Sequence, residues 1–404
     1  MTPRRVVVTG IGVIAAPGKT RREFWESLRE GRSAIRPMTL VPQGSLRFTH
    51  AAEVADFRAS DHMEEREADL LDRFAQFALI AAREAVRDAG LPITSTLAER
   101  MGVITGTSAG GKTSEDREFF SLYGQSAARV HPLTIARTMA NAGTSRIAQE
   151  YGIVGPSYTV STACASAAHA MGQAFWMIRN GQLDAAIAGG SEAPFSLGFL
   201  KAWEAMRIIA SDTCRPFSLD RKGLILGEGA AMFVLEPLDT ARERGAHIWG
   251  EIAGFGMSSD AHHLTQPLAA GAARAMRAAL ADAGVEPSEI GYINAHGTGT
   301  AMNDATEAHA IYEVFGERAC ELPVSSTKSI HGHALGAAGA LEAAATILAL
   351  HDGVIPPTAN FTEADPACAL DVVPNIARDV QIEWALSNSF AFGGLNAVLA
   401  MRKV

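Results

Sequence analysis

An α/β fold built from two related halves is predicted by three features of the sequence. Short strand-like runs alternate with longer helix-like runs along the chain, the pattern of layered α/β proteins. Two stretches, Ile153 to Ile187 and Pro323 to Ile355, read as weak copies of one unit. Each has a strand, a turn with reactive residues, and an Ala-rich helix ending before a glycine, Gly181 or Gly353. The copies lie about 170 residues apart, which points to an internal duplication. With 404 residues, 48% of them hydrophobic and 20% charged, the chain has ample core for such a fold. The halves are placed at 1–252 and 253–404, with the junction near Gly250 to Gly254.

The first element is the strand-like run within Arg4-Arg5-Val6-Val7-Val8-Thr9-Gly10-Ile11-Gly12. Its apolar part is too short for a signal peptide. Met101 to Thr105 is the next strand, followed by Gly106-Thr107-Ser108-Ala109-Gly110-Gly111-Lys112-Thr113. That octet matches the phosphate-binding pattern G-x-x-x-x-G-K-[ST] letter for letter. A nucleotide hydrolase would also need an apolar helix after the loop and a later strand ending in a metal-binding Asp. Ser114-Glu115-Asp116-Arg117-Glu118 opens no such helix, so Lys112 is read as a loop or surface residue.

Ser157 to Thr162 is rich in β-branched and hydroxyl residues, as a strand would be. Ser166 to Ile178 is small and apolar at helical spacing. Cys164 stands where the first becomes the second. A thiol there feels unpaired N–H groups and the positive end of the helix dipole, which lower its pKa and favour the nucleophilic thiolate. The competing reading is a merely buried cysteine. Further on, the strand Ile290 to Ile293 runs into Asn294-Ala295-His296-Gly297-Thr298-Gly299-Thr300. Ser325-Ser326-Thr327-Lys328-Ser329-Ile330-His331-Gly332-His333 leads into the helix Leu335 to Leu350. A lone histidine is more often structural than catalytic. Both His296 and His333, however, stand beside glycines at strand ends, where backbone or substrate can approach closely. One Cys and two His form a plausible nucleophile and acid/base set.

Composition narrows the function. The net charge of −9 and the lack of a basic-aromatic cluster argue against nucleic acid. No apolar stretch is long enough to cross a membrane. Cys164, Cys214, Cys320 and Cys368 are widely spaced, which argues against a disulfide framework or zinc ribbon and fits a reducing cytoplasm. The histidines His262, His263, His309, His331 and His333 show no metal-binding spacing.

These runs together resemble the condensing enzymes of the thiolase superfamily, most closely the type II 3-oxoacyl-[acyl-carrier-protein] synthases. The resemblance runs from Arg4–Gly12 through Thr162-Ala163-Cys164, Cys214-Arg215-Pro216-Phe217 and Gly254–Ala261. It continues through Asn294–Thr298, Ser326–Ser329 and Gly332-His333 to Asn388-Ser389-Phe390-Ala391-Phe392-Gly393-Gly394-Leu395-Asn396. It implies a duplicated thiolase-like fold of five layers, α-β-α-β-α, with the site between the halves and the Ala-rich helices in the centre. It implies that Cys164 takes the acyl chain as a thioester, and that His296 and His333 hold the malonyl thioester carbonyl and its enolate. Lys328 would be structural and electrostatic, paired with Glu307. Phe392 would gate the nucleophile beside Gly393 and Gly394. The N–H groups of Cys164 and Phe392 would form an oxyanion hole. Ala109, where a larger aliphatic often stands, is the acyl-pocket candidate.

No metal or other cofactor is implied. The implied partners are acyl carrier protein and a second ketosynthase subunit, either identical or a chain-length factor. Carrier docking would need a local basic patch, for which Arg66, Arg73, Arg129 and Arg207 are candidates, while Glu64 to Asp69 is acidic where many relatives are basic. Gly299 and the run His296 to Asp304, with Ala391 and Leu395, resemble secondary-metabolite ketosynthases, which implies a wider or longer acyl chain, such as a polyene. Two alternatives are weighed within the resemblance. A non-catalytic chain-length partner usually lacks the cysteine, and a thiolase would carry a second cysteine in the Phe390–Asn396 turn, where this chain has none.

Overall fold

The computed structural model describes residues 3–404. Met1 and Thr2, at the head of the segment weighed as a signal peptide, lie outside the described residues. The first half of the chain gives β1 (Val6–Ala15), α1 (Arg73–Ala89), β2 (Met101–Gly106), α2 (Ala142–Tyr151), β3 (Ser157–Val160), α3 (Ser166–Arg179), β4 (Ala185–Glu192) and β5 (Gly229–Pro237). The second half repeats that succession: β6 (Gly250–Ser259), α4 (Ala269–Ala283), β7 (Ile290–Asn294), α5 (Ala301–Phe315), β8 (Val324–Ser325), α6 (Ala338–Asp352), β9 (Trp384–Ala391) and β10 (Leu395–Arg402). The 252/253 position expected as the junction lies within β6.

The strands pair in the order β8-β7-β9-β10-β6-β1-β5-β4-β2-β3. Reading outward from the middle, both halves follow one scheme. β1 is antiparallel to β5 and β5 to β4, then β4, β2 and β3 run parallel. β6 is antiparallel to β10 and β10 to β9, then β9, β7 and β8 run parallel. The two five-stranded units meet at a short antiparallel seam, Val6–Val8 against Gly250–Ile252.

Sequence explains why each sheet accepts a helix so closely. In β1 a Cβ on Gly10 or Gly12 would fall 2.0 Å from the Ala85 carbonyl or 1.9 Å from the Ala81 carbonyl of α1. In β6 a Cβ on Gly254 or Gly256 would fall 2.5 Å from the Ala279 carbonyl or 2.1 Å from the Ala275 carbonyl of α4. The Gly-x-Gly spacing puts both glycines on one face of each strand, against an alanine stripe. α1 and α2 cover one sheet; α4 covers the other, with α5 packed against α4. α3 and α6 fill the space between the sheets, which makes five layers, α-β-α-β-α. They cross at Gly339, where a Cβ would sit 3.0 Å from Ala168. Every residue of α6 from Ala338 to Leu350 is buried. An amphipathic helix would not fit there, because this one has protein on all sides.

Candidate active site

Cys164 follows β3, and His333 follows the equivalent strand β8, so the two strands deliver their following turns to the same place between the sheets. Ala163 adopts the left-handed conformation, with φ 49°. Ser166 fixes this turn, its hydroxyl donating to the Ala163 carbonyl at 2.6 Å and accepting from the Thr162 N–H at 2.9 Å. The Cys164 sulfur is 3.2 Å from His333 Nε2. The His296 and His333 rings stand nearly perpendicular, with centroids 5.4 Å apart. The three predicted residues therefore converge, all of them buried.

Lys328 lies behind the imidazoles, fully buried, in a short helical turn from Lys328 to His331. Its ammonium donates to the His296 carbonyl at 2.5 Å and to His296 Nδ1 at 3.3 Å. His296 Nδ1 is thus an acceptor, and the ring proton resides on Nε2. The carboxylate paired with Lys328 is Glu342 of α6, which corrects the pairing with Glu307 expected from the sequence. Glu307 is occupied elsewhere. It accepts from the N–H of His296 at 2.8 Å and of Gly297 at 2.7 Å, and from the Asn388 amide at 3.1 Å. It therefore holds the His296 turn directly. A single Glu inside an otherwise apolar, Ala-rich helix was the available signal for Glu342, because a buried charge requires a partner.

The electrostatics also depart from expectation. Burial pushes the Cys164 thiol up to about 11, against the opposing influence of Lys328 and the Phe392 N–H. Desolvation thus outweighs the helix terminus. Burial, followed by the nearby Lys328 ammonium, holds both His296 and His333 well below the ordinary imidazole range. The resting site is a neutral thiol beside two neutral imidazoles. The donor atoms of Cys164, His296 and His333 lie within 4.8 Å of one another, close enough to share an ion. A dication there would face the Lys328 ammonium behind His296, so these residues fit hydrogen-bond donation better than metal ligation.

Phe392 is in the turn between β9 and β10, its backbone N–H on the Cys164 sulfur. Its ring stacks on Trp203, with centroids 6.1 Å apart and planes 23° from parallel. Gly393 and Gly394 have φ 85° and 69°. The Gly393 N–H donates to the Leu264 carbonyl at 2.7 Å, and the Asp260 N–H donates to the Gly394 carbonyl at 2.8 Å. A cavity runs from the surface past Leu264, Met302, Met206 and Trp203 down to Cys164. Trp203 and Leu264 were not singled out in the sequence, since their role follows from tertiary placement alone. Ala109 is not among the residues lining this cavity.

The Gly106–Thr113 loop has no room for a phosphate. The N–H groups of Ser108 and Ala109 donate to the buried Glu192 carboxylate at 2.7 and 3.2 Å. Lys112 pairs with Glu115, and the Thr113 hydroxyl donates to Asp72 at 2.6 Å. Gly299 is likewise explained locally: φ is 79°, and a Cβ would fall 3.1 Å from the Cys214 sulfur.

The family model described as "Beta-ketoacyl synthase, N-terminal domain" matches residues 3–241, and that for the C-terminal domain matches residues 249–362. Nodulation protein E of Rhizobium meliloti (strain 1021) is 45% identical over 402 residues, covering 99% of this chain and 100% of its own. The 3-oxoacyl-[acyl-carrier-protein] synthase 2 of Staphylococcus aureus (strain COL) is 40% identical over 407 residues, covering 99% and 98%. Among solved structures, the ishigamide ketosynthase/chain length factor is 41% identical, with TM-score 0.94 and full coverage of both chains. A type II polyketide acyl-carrier protein in complex with its ketosynthase bound to the hexaketide is 33% identical, with TM-score 0.90 and full coverage of both.

Proposed function

The chain belongs to the beta-ketoacyl synthase family, and from that premise we propose that Cys164 takes an acyl group and condenses it with malonyl-acyl carrier protein. The products are carbon dioxide and a 3-oxoacyl carrier. The observation that carries this reading is the Cys164 sulfur 3.2 Å from His333 Nε2, with His296 alongside, at the base of an open cavity.

The steps follow from the geometry. The Cys164 sulfur attacks the acyl thioester carbonyl while its proton passes to His333 Nε2. The tetrahedral oxyanion accepts from the N–H groups of Cys164 and Phe392. Its collapse breaks the carrier C–S bond, and the departing thiolate takes a proton from solvent in the open cavity, leaving the Cys164 proton on His333 Nε2. A malonyl thioester then enters. Its carboxylate leaves as carbon dioxide, and the bonding pair moves onto the thioester oxygen as an enolate. Lys328 holds His296 with its proton on Nε2, so that His296 donates to this enolate oxygen. His333 Nε2–H is the second donor. The enolate carbon attacks the acyl group on Cys164, the C–S bond breaks, and the Cys164 thiolate takes back its proton from His333 Nε2. Phe392 gates the entry of each substrate by moving off Trp203. The halves 1–252 and 253–404 contribute the thiol and the two imidazoles respectively.

The acyl-carrier complex among the similar structures supports the carrier as the partner. The ketosynthase/chain length factor supports assembly as a dimer, with an identical subunit or with such a factor. Among the docking candidates Arg73 is committed to the buried Glu228 at 2.6 Å, whereas Arg207 adjoins Met206 of the cavity. No helix among the described residues is long and apolar enough to cross a membrane. All four cysteines are unpaired, which supports a reducing, cytoplasmic setting. Since Gly299 is explained by its own packing, the choice between fatty-acid and polyketide donors rests on a direct test.

That test is intact-protein mass spectrometry after incubation with carriers bearing saturated, polyunsaturated and polyketide chains. Wild type gains an acyl adduct, and its preferred chain identifies the pathway. Cys164→Ala gains none and does not condense. Cys164→Gln does not condense but still decarboxylates malonyl carrier, because its amide mimics the acylated thiol. Normal condensation by Cys164→Ala would overturn the assignment.

A further inference from the structure

We propose that His331 is a positioning residue whose ring pins the peptide group that aims His333 at Cys164 and at the malonyl thioester. This rests on the reading of Cys164 as nucleophile and His333 as its partner. The two imidazoles of the site are oriented by different means. His296 is held through its own ring, whose Nδ1 accepts from Lys328. His333 has no such hold. Its Nε2 meets the Cys164 sulfur at 3.2 Å, and its buried Nδ1 has no partner among the described residues. The direction of that ring is left to its rotamer and to the backbone that carries it.

That backbone is clamped at the peptide group between Gly332 and His333. The His333 N–H donates to the Ile225 carbonyl at 2.7 Å. The Gly332 carbonyl accepts from His331 Nδ1, also at 2.7 Å. No backbone N–H donates to this carbonyl among the described residues. Gly332 has φ 68° and ψ −178°, a region essentially confined to glycine, so the peptide group needs support at both ends.

His331 is itself fully buried, its ring centroid 6.1 Å from that of Phe24. Burial, followed by the Lys328 ammonium, pushes its pKa down to about 3, so the ring is neutral and carries one proton. A carbonyl only accepts, so that proton is on Nδ1. Nε2 is then the acceptor, and the Thr327 hydroxyl donates to it at 2.9 Å. The same hydroxyl oxygen accepts from the Asn294 amide at 3.5 Å. That amide also donates to the Tyr292 hydroxyl at 3.1 Å. Tyr292 and Asn294 belong to β7, which runs on to His296. The donors point one way, from Asn294 through Thr327 and His331 to Gly332. The series thereby ties the turn that carries His333 to the strand that delivers His296.

Three variants separate the pin from the packing. In His331→Asn the amide nitrogen falls at the Nδ1 position and can donate to Gly332. In His331→Gln the amide falls at the Nε2 position and meets Thr327 only. His331→Leu fills the space and offers neither. The assays, on the full chain, are kcat and KM for decarboxylation of malonyl-acyl carrier protein, and the rate of acyl-adduct formation on Cys164 by mass spectrometry. In His331→Gln and His331→Leu both kcat and the loading rate fall about tenfold, the scale of one buried hydrogen bond left unmade. KM stays in place, because His331 does not line the cavity. His331→Asn removes the most volume and is the least stable in thermal unfolding, yet keeps kcat within about threefold of wild type. Thr327→Val removes the hydroxyl that fixes the His331 tautomer. It lowers kcat about threefold in wild type and adds no loss in His331→Asn, which has no Nε2 to receive that hydroxyl. Equal losses in all three His331 variants would leave the ring a packing element only, and equal retention would leave it idle. Either result overturns the inference. If His331→Leu does not fold, an unchanged kcat in Thr327→Val overturns it alone. Absence of any adduct on wild type, with decarboxylation still dependent on His331, would instead overturn the reading of Cys164.

Discussion

At Cys164 two influences oppose each other. The turn into α3 and the Lys328 ammonium favour the thiolate, while burial disfavours it, and burial wins, leaving the thiol at about 11. Alkylation requires the thiolate, and a raised pKa means that the proton leaves only at higher pH. Cys164 alkylation should therefore be slow at neutral pH and still be climbing at pH 9 to 10, where an ordinary thiol, with its pKa of roughly 8.5, is already approaching its plateau. A plateau near pH 8 would contradict this. The chemistry-bearing residues were legible at this scale because Cys164, His296 and His333 each stand at a strand end in a setting of small residues. Their protonation was not, since desolvation depends on what packs around a group and no local sequence states it. The same holds for Trp203, one aromatic among many until the fold places it against Phe392.

Among the elements, α6 combines two demands that a sequence reader meets separately. Its alanines let it lie between two sheets, and its one buried carboxylate, Glu342, neutralises Lys328 from the segment before it. Glu342→Leu leaves a buried ammonium without a counterion and should cost about 3–5 kcal/mol in denaturant unfolding. Adding Lys328→Met should recover most of that loss. If the double variant is no more stable than the single, the pair is not the source of the cost. The strands and Ala-rich helices were legible from periodicity, and the Gly-x-Gly runs from spacing. The identity of the carboxylate beside Lys328 was not, because Glu307 and Glu342 both stand on helices near the site and only the packing separates them. The phosphate-loop pattern failed for a related reason. Its N–H groups exist as the pattern says, but a carboxylate of the protein already occupies them.

For the whole molecule the repeat was visible in two weak copies of strand, turn and helix, and the structure extends it to ten strands in one repeated scheme. The short seam between β1 and β6 could not be read from the sequence, since edge pairing leaves no pattern of its own. The thiol enters the site from the strands before the seam, and both imidazoles enter from the strands after it. A chain divided at Gly245, in the exposed connection between β5 and β6, would have its chemistry split between two pieces. Residues 1–245 and 246–404 expressed apart should each show no condensation, and expressed together they should restore it. Activity in either piece alone would refute the division of labour. The molecule is in this sense a two-component device whose components share one chain, and each turnover reports that they are assembled.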